Sequence, residues 1–168
     1  MSRPAQFKLS KASVGARPRK SPAEIERILK LHDLFVRRKG GVPADRVAAQ
    51  AFSSFNNATI VTVERDTQIA EPIEILITGP GVGATAYGHL QIRTGELAEA
   101  VVVIDQRGSG TYADNVEFVV GDASRLTVVW VADWADDTVQ VCAQHARLGK
   151  DAVLRHVAVT LGGDVVRM

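Results

Sequence analysis

The chain has 168 residues, is 46% hydrophobic and carries a net charge of +1. That length supports one domain plus a tail, with enough apolar surface for a buried core. No apolar run approaches the roughly 18 residues of a membrane span, the opening residues lack a signal-peptide pattern, and the single cysteine, Cys142, excludes an internal disulfide. A reducing, cytoplasmic location fits this cysteine usage.

The charge is unevenly placed. Residues 1–41 hold 11 Lys/Arg against 3 Asp/Glu, so +8, whereas residues 42–168 hold 9 against 16, so −7. Residues 1–20 contain six basic residues, no acid, and Pro4 and Pro18. Such a segment has little to bury, and the expectation is a disordered, solvated basic arm. An arm that contacts nucleic acid and an organelle transit peptide are the sharper alternatives.

A helical segment over 21–56 is predicted next. Ser21 and Glu24 form a capping box with Pro22 at the first helical position. Ile25, Ile28, Leu29, His32 and Phe35 or Val36 follow at helical spacing. Arg37, Arg38 and Lys39 suit the negative end of the helix dipole, and Gly40-Gly41 ends the helix. A second short helical piece runs from Ala44 to Phe55. Either piece is able to cap the open end of a stacked β structure, which must hide its apolar terminus.

The β region is expected over 57–168, starting near Thr59. Ile73-Glu74-Ile75-Leu76-Ile77-Thr78 reads as a strong strand. The following Gly79-Pro80-Gly81-Val82-Gly83-Ala84 matches the glycine pattern of a dinucleotide-binding turn. That chemistry needs a helix N-terminus behind the glycines to hold the pyrophosphate. Thr85 to Ile92 instead contains Gly88 and then alternates like a strand, so the expectation here is a long turn.

A unit of about 27 residues then recurs, aligned on Gly95, Gly121 and Gly149. Each glycine has a small residue three positions on, an apolar residue five positions on, and then a β-branched run: Val101 to Ile104, Thr127 to Val131, and Arg155 to Val159. Upstream strands also match: Leu90-Gln91-Ile92, Val116-Glu117-Phe118 and Val139-Gln140-Val141. On this alignment about five extra residues separate Val141 from Gly149, so the third coil is irregular. Alternate strands resemble each other better than neighbours do. A parallel β-helix gives that pattern, because each coil stacks on its copy about 4.8 Å away. An antiparallel meander does not. Ala100, Leu126 and Leu154 are predicted to lie in register.

Two groups invite a metal. Cys142 and His145 stand in Cys-x-x-His spacing, with His156 eleven residues on in the slot of Val102 and Val128. Asp133-Trp134-Ala135-Asp136-Asp137 is acidic but lacks the glycine and spaced oxygens of a calcium loop. Structural roles are the expectation for both. No catalytic constellation stands out, so no catalytic, cofactor or metal residue is assigned and the chain is not read as an enzyme.

Several unbroken runs resemble the SufB/SufD family, nearest to its actinobacterial SufD members. These are Val42 to Phe55, Tyr87-Gly88-His89-Leu90, Gly108 to Glu117, and Asp133 to Asp137 continuing to Gln144-His145-Ala146. The resemblance covers about 42–168. It implies a right-handed parallel β-helix preceded by a short helical segment. It also implies a scaffold role in the SufBCD complex, which builds iron-sulfur clusters with a SufB-like subunit and a SufC-like ATPase. The cluster is handled by that complex, and this chain holds no cofactor of its own. Family members are about twice this length or more, and the cysteine and histidine implicated in cluster assembly lie in the part not matched here. Cys142 does not match them. The expectation is therefore a fragment or short form: a truncated β-helix that is weakly stable alone and lacks assembly activity. Residues 1–41 do not resemble the usual family start. A self-contained solenoid binding module with a nucleic-acid-contacting arm is the alternative. The contact regions for SufB and SufC lie mostly beyond this chain, and no membrane partner is expected.

Overall fold

A computed structural model describes residues 45–56 and 58–168. The basic arm, and the predicted helix beginning at Ser21, lie outside the described residues. Among the described residues one helix, α1 (Arg46–Ser54), precedes nine strands: β1 (Ala58–Val63), β2 (Ile73–Thr78), β3 (Thr85–Thr94), β4 (Glu99–Gly108), β5 (Thr111–Val120), β6 (Arg125–Trp134), β7 (Val139–Leu148), β8 (Val153–Thr160) and β9 (Val165–Arg167). The glycine-rich turn after β2 leads into β3 and not into a helix. No helix among the described residues is long and apolar enough to cross a membrane.

The strands alternate between two sheets. Odd strands form one sheet in the order β1-β3-β5-β7-β9, and even strands form the other in the order β2-β4-β6-β8. Every pairing is parallel. The chain is thus a flattened parallel β-solenoid of four coils and the first strand of a fifth. Ala100 pairs with Leu126 and Leu126 with Leu154, as predicted.

The coil length is not constant. Thr85 stands beside Thr111 and Glu99 beside Arg125, a step of 26 residues. Thr111 stands beside Val139 and Arg125 beside Val153, a step of 28. This corrects the sequence alignment of Val139-Gln140-Val141 with Val116-Glu117-Phe118. Val139 lies beside Thr111, and the neighbours of Val116, Glu117 and Phe118 are Gln144, His145 and Ala146. The coil carries no five-residue insertion. Its two extra residues fall in the corner after β6, where Ala135 to Thr138 replace Ser109 and Gly110.

The core forms where the two sheets face each other. Val102, Ile104, Leu126, Val128 and Trp130 from one sheet meet Leu90, Ile92, Val116, Phe118 and Val120 from the other. Side chains alternate along each strand, so the residues between these point outward.

The glycine-aligned corners carry a repeated turn. Ala98 N–H bonds to Gly95 O at 3.3 Å, Ser124 N–H to Gly121 O at 3.2 Å, and Ala152 N–H to Gly149 O at 3.3 Å. The left-handed residue is the third one: Leu97 (φ 60°), Ala123 (φ 52°) and Asp151 (φ 56°). Each of these turns therefore places a side chain in the region glycine favours. The glycine itself stands where the adjacent coil leaves no space: a Cβ on Gly121 would lie 2.7 Å from Thr94 O.

Candidate functional site

Helix α1 lies on the outer face of the odd-numbered sheet. Asp45 caps it, accepting from Ala48 N–H at 2.8 Å, and Asn115 Nδ2 donates to Ala48 O at 2.9 Å. Phe55 stacks on His89 with ring centroids 5.0 Å apart, and Phe52 meets the same ring edge-on at 5.6 Å. Beneath the helix runs a buried polar ladder. Gln91 Nε2 donates to Glu117 Oε2 at 2.5 Å, Arg93 Nε donates to Gln91 Oε1, and His89 Nε2 lies 3.7 Å from Glu117 Oε2. The helix expected as an end cap is a side cover. Its stripe meets a half-polar sheet face because parallel sheets need both faces covered.

A second polar group lies inside the solenoid. Tyr112, Asp114, Val116 and Phe118 share one face of β5, and Asp114 stands beside Cys142 on β7. Asp114 is 1% exposed and Cys142 3% exposed. Among the described residues neither carboxyl oxygen of Asp114 has a partner in hydrogen-bonding geometry, and the same holds for both side-chain polar atoms of Gln140. Burial pushes the Asp114 carboxyl up to about 7, with neighbouring Cys142 and Gln140 pulling it partly back. Burial also pushes the Cys142 thiol well up, reinforced by the charge of Asp114. The Tyr112 hydroxyl is raised for the same reasons, burial first and Asp114 second. A raised thiol is a poor nucleophile and a poor metal ligand, since both roles need the thiolate.

Beyond Cys142 the solenoid opens. β9 pairs with β7 only from Val139 to Val141, and among the described residues no strand covers the far edge of β8. The result is a cleft of about 570 Å³ lined by Asp45, Cys142, Ala143, Gln144, His145, His156, Ala158, Arg167 and Met168. Asp45 and Arg167 pair across one rim at 2.6 Å.

The three residues flagged by Cys-x-x-His spacing all reach this cleft, but they do not converge. In a strand, residues three apart point to opposite faces. Cys142 joins the core, whereas His145 lies beside Glu117 on the outer face. His156 stands beside Val128, as its slot predicted, and its ring lies 5.7 Å from that of Phe118 and 6.2 Å from that of Trp130. Burial lowers the His156 pKa. Among the described residues no three His, Cys, Asp or Glu side chains are placed to hold a metal. Asp136 and Asp137 are exposed on the corner while Trp134 is 3% exposed, so that run is a solvated turn anchored by its tryptophan. Sequence reasoning missed Asp114 and the ladder under α1. The signal for Asp114 was its parity with Val116 and Phe118.

The family model for the SUF system FeS cluster assembly SufBD core domain matches residues 76–168. The chain is 78% identical over 130 residues to an iron-sulfur cluster assembly SufBD family protein of Mycobacterium bovis and 77% identical to one of Mycobacterium tuberculosis. It is 72% identical over the same span to one of Mycobacterium leprae. Each match takes in 77% of this chain and 33% of the relative, so the chain spans about a third of the length of the curated relatives it matches. No solved structure matches it. The core-domain match takes in the solenoid from the second half of β2 onward, and the chain belongs to the SufBD family of iron-sulfur cluster assembly proteins.

Proposed function

We propose that the chain supplies part of the solenoid platform of a SufD-like scaffold, acting in the cytoplasm within a SufBCD-type complex. Its partners are a SufB-like subunit and a SufC-like ATPase. The cluster is cargo of the assembled complex, and this chain is neither an enzyme nor a cofactor holder. The observation that carries the reading is the 78% identity to a named SufBD family protein over 130 residues. The interior chemistry agrees with it. The one thiol is buried, raised in pKa and set beside a carboxyl, which disfavours the thiolate that sulfur or iron chemistry requires.

The test is co-purification. The tagged chain is expressed with a SufB-like and a SufC-like subunit from a mycobacterium. Retention of the SufB-like subunit is expected, and loss of both partners from a folded chain overturns the assignment. The chain alone, incubated with ferrous iron and sulfide and then desalted, is expected to keep no cluster absorbance.

A further inference from the structure

We propose that the solenoid interior contains a water-binding site between Asp114, Gln140 and Trp134, which holds about two water molecules as fixed ligands. This inference does not depend on the assembly role.

The coil geometry brings the three residues to one edge of the solenoid. β4 and β6 end, and β5 and β7 begin, at the corners formed by 109–110 and 135–138. Trp134 closes β6, while Asp114 and Gln140 stand near the start of β5 and β7. Gln140 lies beside Tyr112 and Asp114 beside Cys142, so Asp114 and Gln140 are diagonal neighbours on paired strands. The rings of Tyr112 and Trp134 are 5.9 Å apart, which sets the indole against the same pair of strands. Val166 of β9 stands beside Gln140 and covers it from the next coil. All three side chains are at least nine-tenths buried.

Five side-chain atoms are stranded there. Both oxygens of Asp114, both amide atoms of Gln140 and Nε1 of Trp134 lack a partner among the described residues. Buried polar atoms are costly to leave in that state. The mixture of atoms selects the ligand. Trp134 Nε1 and Gln140 Nε2 can only donate, Gln140 Oε1 can only accept, and Asp114 accepts or, when protonated, also donates. A bound cation would face the two N–H groups, and a bound anion would face the oxygens of Asp114 and Gln140. Water donates and accepts, so it alone satisfies the whole set. A buried water makes about three hydrogen bonds, which gives about two waters for these five atoms. The adjoining core residues Ala132 and Cys142 are small and leave side-chain volume on this side of the core.

The experiment is water-oxygen-17 relaxation dispersion on the full 168-residue chain, which counts waters held longer than the protein takes to tumble. Asp114→Val with Gln140→Leu is expected to lose about two long-lived waters relative to the native chain. Cooperative melting of the variant is checked in parallel. An unchanged count in a folded variant overturns the proposal. The native chain supplies a second reading that stands even where the variant does not fold. Its Trp134 indole N–H is expected to show a cross-relaxation peak with a slowly exchanging water. Absence of that peak overturns the proposal, since the side chains would then have satisfied one another. A dispersion that changes when potassium is replaced by tetramethylammonium overturns it in favour of a bound cation.

Discussion

Asp114 and Cys142 stand side by side across the β5–β7 pair with both side chains inside the solenoid. A carboxyl in that position stays neutral well above its ordinary range, and burial pushes it up to about 7. The folded chain therefore holds a proton that the unfolded chain releases near pH 4. Stability from this group is complete below pH 4 and declines as pH rises toward 7, by up to about 1.4 kcal/mol per unit. The native chain is expected to melt at a lower temperature at pH 8 than at pH 5. Asp114→Asn, which cannot ionise, is expected to flatten that difference. Thermal unfolding of both proteins across pH 4 to 8 checks it, and parallel curves would show that another group sets the profile.

The two-sheet period was legible because stacked coils repeat their side chains. Leu126 sits between Ala100 and Leu154, and each is an apolar residue five positions after a glycine. The register of β7 was not legible. Its inward residues are Gln140, Cys142 and Gln144 where β5 has Tyr112, Asp114 and Val116, so hydrophobic matching slid the alignment by five residues. Polar interiors defeat pattern matching in this way. The side-covering role of α1 was also hidden, because its contacts are to residues far away in sequence, such as Asn115.

The glycine column has a physical cause that a turn propensity does not capture. Gly121 is enclosed by backbone atoms of the coil below, with Gly95 C and Thr94 O each 2.7 Å from a would-be Cβ. Backbone cannot rotate away as a side chain can. Gly121→Ala is expected to cost about 1–3 kcal/mol by overpacking. Ala123→Gly, two residues on at a left-handed position, is expected to be tolerated far better. Chemical denaturation of the two variants gives the comparison, and equal losses would remove the steric account.

Asp45 does two jobs: it caps α1 through Ala48 N–H and pairs with Arg167 at the mouth. The amide bond from Ala48 leads the causes that lower its pKa. A lowered carboxylate stabilises the fold above its unfolded value and loses that effect as pH falls through the folded one. Asp45→Ala is expected to lower the melting temperature more than Asp45→Asn, which keeps a cap acceptor but loses the charge. Both variants are expected to loosen α1, read as faster amide exchange at Ala48. If Asn proves as damaging as Ala, the ion pair and not the cap is the important contact.

Trp130 and Gln106 form an internal hydrogen bond whose cost is asymmetric. Trp130 Nε1 donates to Gln106 Oε1 at 2.8 Å, both residues are fully buried, and Gln106 Nε2 lacks a partner among the described residues. Trp130→Phe removes the donor and leaves the whole Gln106 amide unsatisfied in the core. The expected loss is about 1–3 kcal/mol for the orphaned group, in addition to the smaller ring. Adding Gln106→Leu removes the stranded amide and is expected to recover most of the polar part. The double variant should therefore be more stable than Trp130→Phe alone, whereas additive losses would mean that Gln106 finds another partner once the indole is gone. A double-mutant cycle measured by urea unfolding separates the two outcomes.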